Sequence, residues 1–429
     1  MRRRIARSER MYVSEIRTQA LQICVVRGGV DAQILDAAFT AVLAEAPGLR
    51  SRLEKDGDDF YLSLLDPSEL PRLHVRRNEP GARLEEYNKP LHLGGPLARA
   101  VLLTGSDEDV VMFGVDHAIS DGRSATAFCS RIWQRYIDIQ SGSYPGPPPG
   151  PQEWPPPLDD WLPSRGEAEL DAYVRQRLER AEGAPVASLP FLAAESASTV
   201  PSESLMTSRR LRLTESETTG LLAFAKDAGV SVNGLVAAAL LAAVRAGLPE
   251  ELAGHRLSSF CTVDLRDQVA PGLSHEAMVP MVSWYRDLLD VPDGVDLVKL
   301  GHRFTTELRA GMERGDAALE MQALDRLLQH PQLWPTSLVL TNVGKIDGPP
   351  SPKGLEITDM TKFPLSSRWD PARGAGPLLA SPATIYGRFS LEMPYSTQCF
   401  TTEQMDSIHD HIRGSLLACA DRAPSSRSS

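Results

Sequence analysis

Apolar positions recur at helical spacing between 31 and 46, where Asp31 can cap a helix and Ile34, Leu35, Ala38, Val42 and Leu43 form one stripe. Pro47-Gly48 ends it. Asp59 to Leu65 and Leu97 to Leu103 read as strands. Val110 to Val115 is almost wholly apolar, as a strand buried on both faces would be, and it runs directly into Asp116-His-Ala-Ile-Ser-Asp-Gly122. From Ser124 to Gln140 the period turns helical again, with Phe128, Ile132, Trp133, Tyr136 and Ile137 on one side.

Tyr144 to Pro163 holds nine prolines, which exclude both a helix and a central strand and leave a stiff connector. Ser164 to Glu167 has the spacing of a capping box before a charged helix that reaches about Ala181. Gly183 to Leu205 is small and polar, so the boundary between lobes is expected within Gly142 to Leu205. A strand at Arg209 to Leu213 restarts the order, followed by a second capping box, Thr214 to Glu217, and a helix ending near Gly229. Ser231 can cap the next helix, Val232 to Ala246, whose all-round apolarity predicts burial. Leu257 to Leu265, Thr336 to Thr341 and Tyr386 to Pro394 read as strands; Asp296 to Arg314 and Thr402 to Asp421 read as long helices. Mixed strands and helices in both halves predict an α/β or α+β chain of two comparable lobes: residues 1–163, a charged helix and crossover at 164–205, and 206–429.

The formal charge of −11 argues against attraction to nucleic-acid phosphates or an anionic membrane. The longest strongly apolar stretch, Leu235 to Val244, is about half the ~20 residues needed to cross a bilayer, so no membrane span is expected. The basic start has no apolar segment after it, and the five cysteines are scattered without metal-ligand spacing, which points to a reducing cytoplasm and to no metal site. Seven lysines against thirty-eight arginines suggest GC-rich coding, as in many soil bacteria. Arg2, Arg3, Arg4, Arg7 and Arg10 read as a solvated, frayed terminus, with contact to an acidic or phosphate-bearing partner as the sharper alternative. Phe363 to Ala380, with Arg368 and Trp369, reads as a surface loop before a flap.

Common hydrolase, NTPase, dinucleotide and zincin signatures are absent. His409 and His411, two apart on a helix, face different ways and make a poor metal pair. His117 stands out because a rigid strand delivers it to a polar turn, where a neutral imidazole could take a proton from an alcohol or amine. Position alone favours a core histidine satisfied by a backbone carbonyl. Asp121 reads either as the cap of the following helix or as a buried carboxylate paired with an arginine. Gly122 could leave amides open to an oxyanion, or be a turn glycine.

The stretch Asp116-His117-Ala-Ile-Ser-Asp121-Gly122 resembles the His-His-x-x-x-Asp-Gly motif of the condensation-domain and polyketide-associated acyltransferase superfamily, related to chloramphenicol acetyltransferase; it departs only at Asp116. Order and spacing agree elsewhere: Pro47 to Arg52, Pro96 to Arg99, Ser231 to Leu235, Val263-Asp-Leu-Arg266, Leu340 to Gly344 and Gly387 to Leu391. The resemblance implies two chloramphenicol-acetyltransferase-like lobes in a V, with a tunnel between them. It implies an acyltransferase that uses acyl-CoA or a phosphopantetheinyl carrier thioester as co-substrate, with no tightly bound cofactor. His117 would be the base, Asp121 would order the loop through Arg266, and Asp116, Ser120 and Asn342 would line the tunnel. The acceptor would be a natural-product or lipid alcohol or amine, attacking without an acyl-enzyme. An acyl carrier protein or polyketide synthase is an implied partner of an otherwise monomeric chain. Because Asp116 replaces the first histidine, a catalytically silent scaffold that docks a carrier protein is the alternative.

Overall fold

Strand Asp109–Asp116, buried along its whole length, lies at the centre of a five-stranded sheet. In this computed structural model, which describes residues 2–13, 18–147, 150, 152–183, 185–192, 206–365 and 369–422, the sheet order is Glu356–Leu365, Gln19–Arg27, Asp109–Asp116, Ala98–Thr104, His74–Arg77. All pairs are antiparallel except the last. Helices Ala32–Glu45 and Gly122–Gln140 cover one face, where Phe113 of the central strand meets Phe128 at 6.2 Å and Trp133 at 6.3 Å, edge to face. Asp31 caps the first helix, accepting from the amides of Gln33 and Ile34 at 2.8 and 3.1 Å. Gly114 interrupts the apolar run for a steric reason: a Cβ there would lie 2.8 Å from Gln19 Oε1 and 3.1 Å from Arg99, which meet across it.

The chain divides into two compact units. The first holds Met1–Leu162, Arg266–Val282 and Asp347–Arg368; the second holds Pro163–Leu265, Ser283–Ile346 and Trp369–Ser429. The second unit is built on a sheet ordered Val282–Leu289, Leu257–Asp264, Leu338–Leu340, Leu378–Ile385, Arg388–Ser396, Met206–Arg212, with Gly344–Ile346 also paired to Leu378–Ile385. Its core forms around helix Val232–Ala246, which is buried nearly all round as its composition predicts. Gly234 allows the close crossing with helix Leu297–Arg314, because a Cβ there would lie 2.5 Å from the Gly301 carbonyl oxygen. The caps at Thr214 and Ser231 form as expected, and Asp296 and Thr401 cap the two long helices that follow them.

Three expectations change. The helix Glu167–Ala181 starts after Gly166, with no side-chain cap, so the Ser164 capping box does not form. It is anchored instead by Glu320, which accepts from Tyr173 Oη at 2.8 Å and pairs with Arg177 at 2.7 Å. The N-terminal arm is ordered: Arg2–Arg4 pairs with strand Asp59–Leu64, Arg2 and Arg4 reach Asp56 and Asp59, and Arg3 forks onto the buried Glu9 at 2.9 and 2.6 Å. Those arginines are neutralised within the chain, which removes the reason to fray. Phe363 to Ala380 is not a loop throughout, since it contains the end of strand Glu356–Leu365 and the start of Leu378–Ile385, while Trp369 packs on Phe191 and Phe400. Arg368 lies outside the described residues, as do parts of the Pro-rich connector and of Gly183 to Leu205. Among the described residues no single helix is long and apolar enough to cross a membrane.

Candidate functional site

From Asp109 to Asp121 every residue is buried except His117, which is only partly so. Its backbone N–H donates to the Thr18 carbonyl at 2.9 Å, extending the pairing of Gln19–Arg27 with the central strand by one residue and fixing where the imidazole leaves the sheet. The chain then turns. Asp116 Oδ1 accepts from the Ala118 amide at 2.8 Å, and the Asp116 carbonyl accepts from the Ile119 amide at 3.2 Å and from Ser120 Oγ at 2.9 Å. Asp116 and Ser120 are thus engaged inside the turn and present no surface to solvent.

Asp121 closes the turn and opens the motif helix Gly122–Gln140. Its Oδ1 accepts from the amides of Arg123 and Ser124, both at 3.0 Å, so it is the helix cap. Its Oδ2 accepts from Arg266 Nη1 at 2.6 Å and from the Met281 amide at 2.9 Å. The two structural readings of Asp121 therefore hold together, one on each oxygen. Arg266 also donates to the Val279 carbonyl at 3.0 Å, and both members of the ion pair are wholly shielded from water. Arg266–Val282 is thereby tied to the start of the motif helix, a link between residues 145 apart in sequence. Gly122 is the first residue of that helix and is not among the glycines with left-handed backbone. Asn342, in the second unit, donates to Asn233 Oδ1 at 2.8 Å and accepts from the Gly344 amide at 2.7 Å.

One neighbour of His117 was not legible in the sequence. Tyr12, just past the short helix Arg7–Arg10, stacks on the imidazole with ring centroids 4.2 Å apart and planes 14° from parallel. The arm holding it is fastened by Ser8, whose amide and hydroxyl both donate to Asp159 at 3.1 and 2.5 Å. Burial, with the Asp121 charge, pushes the Tyr12 phenol upward, so it stays protonated. Loss of water around the imidazole lowers its basicity below the ordinary histidine value, while Asp121, the local backbone and Asp116 pull weakly the other way. His117 is therefore neutral near pH 7. Nδ1 is buried and makes no hydrogen bond among the described residues. A cleft of about 450 Å³ runs along the outer side of the motif helix, where Glu45 pairs with Arg131 and Arg135; His117 does not line it.

The condensation-domain family matches residues 17–246, more than half of the chain. The chain belongs to that family. A second family, described as the C-terminus of phthiocerol/phthiodiolone dimycocerosyl transferase, matches residues 202–396 of this condensation-family chain. A Mycobacterium ulcerans protein named phthiocerol/phthiodiolone dimycocerosyl transferase is 28% identical over 364 residues, covering 83% of this chain and 84% of its own. Among solved structures, polyketide synthase associated protein 5 from Mycobacterium tuberculosis matches with a TM-score of 0.74 at 22% identity, covering 97% of this chain and 98% of the other. A trichothecene 15-O-acetyltransferase from Fusarium sporotrichioides matches with a TM-score of 0.72 at 13% identity, covering 97% and 95%. The mixed α/β fold is thus that of condensation-type acyltransferases, and the condensation-family chain is itself an acyltransferase that requires an acyl donor as co-substrate.

Proposed function

We propose that the chain transfers an acyl group from a CoA or carrier-protein thioester to a hydroxyl of a lipid or natural-product acceptor, an amine being the second acceptor class, with His117 as general base. The observation that carries this reading is the one partly exposed residue, His117, on an otherwise buried, hydrogen-bonded turn. Nε2 of neutral His117 takes the acceptor's proton as its oxygen attacks the thioester carbonyl. The tetrahedral adduct then collapses, the C–S bond breaks, and the departing thiolate takes the proton back from the imidazolium. Acceptor and donor meet directly, and no residue is acylated. Positioned base catalysis of this kind contributes about 10² to 10⁴ in rate. The stacked Tyr12 ring holds the imidazole plane and places its electron-rich face against the cation as it forms. The curated relative's name, a dimycocerosyl transferase, and the O-acetyltransferase fold neighbour favour oxygen as the acceptor atom.

The reading is tested with purified chain, a panel of acyl-CoA thioesters from acetyl to palmitoyl, and alcohols and amines of matched length. Released thiol is measured with a chromogenic disulfide and products are identified by mass. Ester formation that requires both substrates supports the proposal. Thiol release independent of acceptor, or an acylated protein that accumulates without acceptor, would refute the direct-transfer route.

A further inference from the structure

The N-terminal arm is held at several places, in different ways. Its first strand pairs with Asp59–Leu64, and the Ile5 amide extends that pairing by donating to the Phe60 carbonyl at 3.0 Å. The fork of Arg3 on Glu9 joins two residues of the arm itself, so it stiffens the arm without attaching it. Arg10 adds an exposed contact to the Asp58 carbonyl at 3.1 Å. Ser8 differs from these because it is buried and reaches a carboxylate 151 positions along the chain: its amide and its hydroxyl converge on Asp159 Oδ2. Asp159 belongs to the short turn Leu158–Asp160, where the wholly buried Leu158 fixes the end of the Pro-rich connector in the first unit.

One helical turn passes the position of Ser8 on to the site. The Tyr12 amide donates to the Glu9 carbonyl at 3.1 Å, and the Tyr12 ring lies flat on His117. A single stacked ring pair gains less than it costs to order the residues that carry it, so the stack does not hold the arm in place by itself. Two hydrogen bonds onto one carboxylate are the stronger tie, since an ionised acceptor roughly doubles the strength of each.

We propose that Ser8 and Asp159 are positioning residues for His117: they clasp the N-terminal arm so that Tyr12 lies against the imidazole. The inference rests on the reading of His117 as base, and it gives a place in the reaction to two residues outside the Asp116–Gly122 turn. With the clasp closed, the plane of the imidazole is set before substrates arrive. With it broken, the arm spends time away from the ring, and the imidazole samples orientations that do not meet the acceptor's proton. The loss falls on the chemical step and leaves thioester binding as it was.

Histidine labelled with ¹³C at Cε1 reads the stack without any substrate, because the protons of an imidazole lying over an aromatic face are shifted upfield by its ring current. Loss in His117→Gln identifies the signal, and Tyr12→Ala gives its unstacked position. Asp159→Ala removes both contacts, and Asp159→Asn keeps an acceptor oxygen; Ser8→Ala, which removes only the hydroxyl contact, replaces Asp159→Ala should that variant fold poorly. In Asp159→Ala the signal should move toward its Tyr12→Ala position, and kcat should fall by up to about tenfold with the thioester KM within about twofold of wild type. Asp159→Asn should recover much of both. Joining Asp159→Ala to Tyr12→Ala should cost little beyond Tyr12→Ala alone, because the clasp acts through that ring. Losses that multiply in the double variant would overturn the proposal. So would a His117 signal that keeps its wild-type position when the clasp is removed, or one that moves with no fall in kcat. Thiol release by His117→Ala tests the base assignment separately: if it persists with acceptor, that assignment fails, whereas the signal still shows whether the clasp sets the stack.

Discussion

Lys362 offers the sharpest test of the packing. It sits on the edge strand Glu356–Leu365, in register with Gln22, 4% exposed, and its Nζ has no partner among the described residues. Burial moves its amine from 10.5 to about 7. Because the folded value is the lower one, the unfolded chain holds the extra proton between about 7 and 10.5, so stability rises with pH across that window. Below pH 7 the full penalty applies. At about 1.36 kcal/mol per pH unit, that penalty is on the order of 5 kcal/mol at pH 6 and close to zero at pH 10.5. Lys362→Met, similar in length and uncharged, should therefore stabilise the first unit by several kcal/mol at pH 6 to 7. The gain should shrink by roughly 1.4 kcal/mol per unit toward pH 10. Urea unfolding at four pH values between 6 and 10, followed by Trp fluorescence, measures this directly. A variant that is less stable than wild type at pH 7, or whose difference does not change with pH, would refute the reasoning, because it would mean that the amine is charged and well solvated or paired in the fold.

Asp121→Ala should lower stability by about 3 to 5 kcal/mol, since it strands the fully shielded Arg266 guanidinium; the urea midpoint reads this, and a loss below about 1 kcal/mol would dismiss the pair as structural. Tyr12→Ala should reduce kcat by about tenfold and lower the melting temperature as well, whereas Tyr12→Phe should stay close to wild type in both because the stacked face is kept. Equal effects of the two changes would assign the role to the phenol hydroxyl instead. Gly234→Ala should cost about 1 to 3 kcal/mol, because its Cβ would press on the Gly301 carbonyl; calorimetry of the second unit's transition checks it.

What the sequence revealed and what it hid follow from the range of the interactions. Caps at Asp31, Thr214 and Ser231 are local contacts of a side chain with amides two or three residues on, and all were legible. The buried strand Asp109–Asp116 showed itself by continuous apolarity, and Asp121 with Arg266 by resemblance to a motif. Strand Glu356–Leu365 did not show itself, because Asp359, Lys362 and Pro364 break the strand pattern; only pairing with Gln19–Arg27 makes it one. Tyr12 on His117 joins residues 105 positions apart through ring faces alone, for which no spacing rule exists. The frayed terminus was misread for the same reason: the carboxylates that hold Arg2 and Arg4 lie more than fifty residues downstream.

The most direct test of the catalytic assignment is single-turnover thiol release by wild type and His117→Ala, at saturating thioester and acceptor and above pH 7, where the wild-type ring is neutral. The account expects a loss of about 10² to 10⁴ in the acceptor-dependent rate, with the melting temperature and thioester binding retained. A variant that releases thiol at the wild-type rate would contradict it.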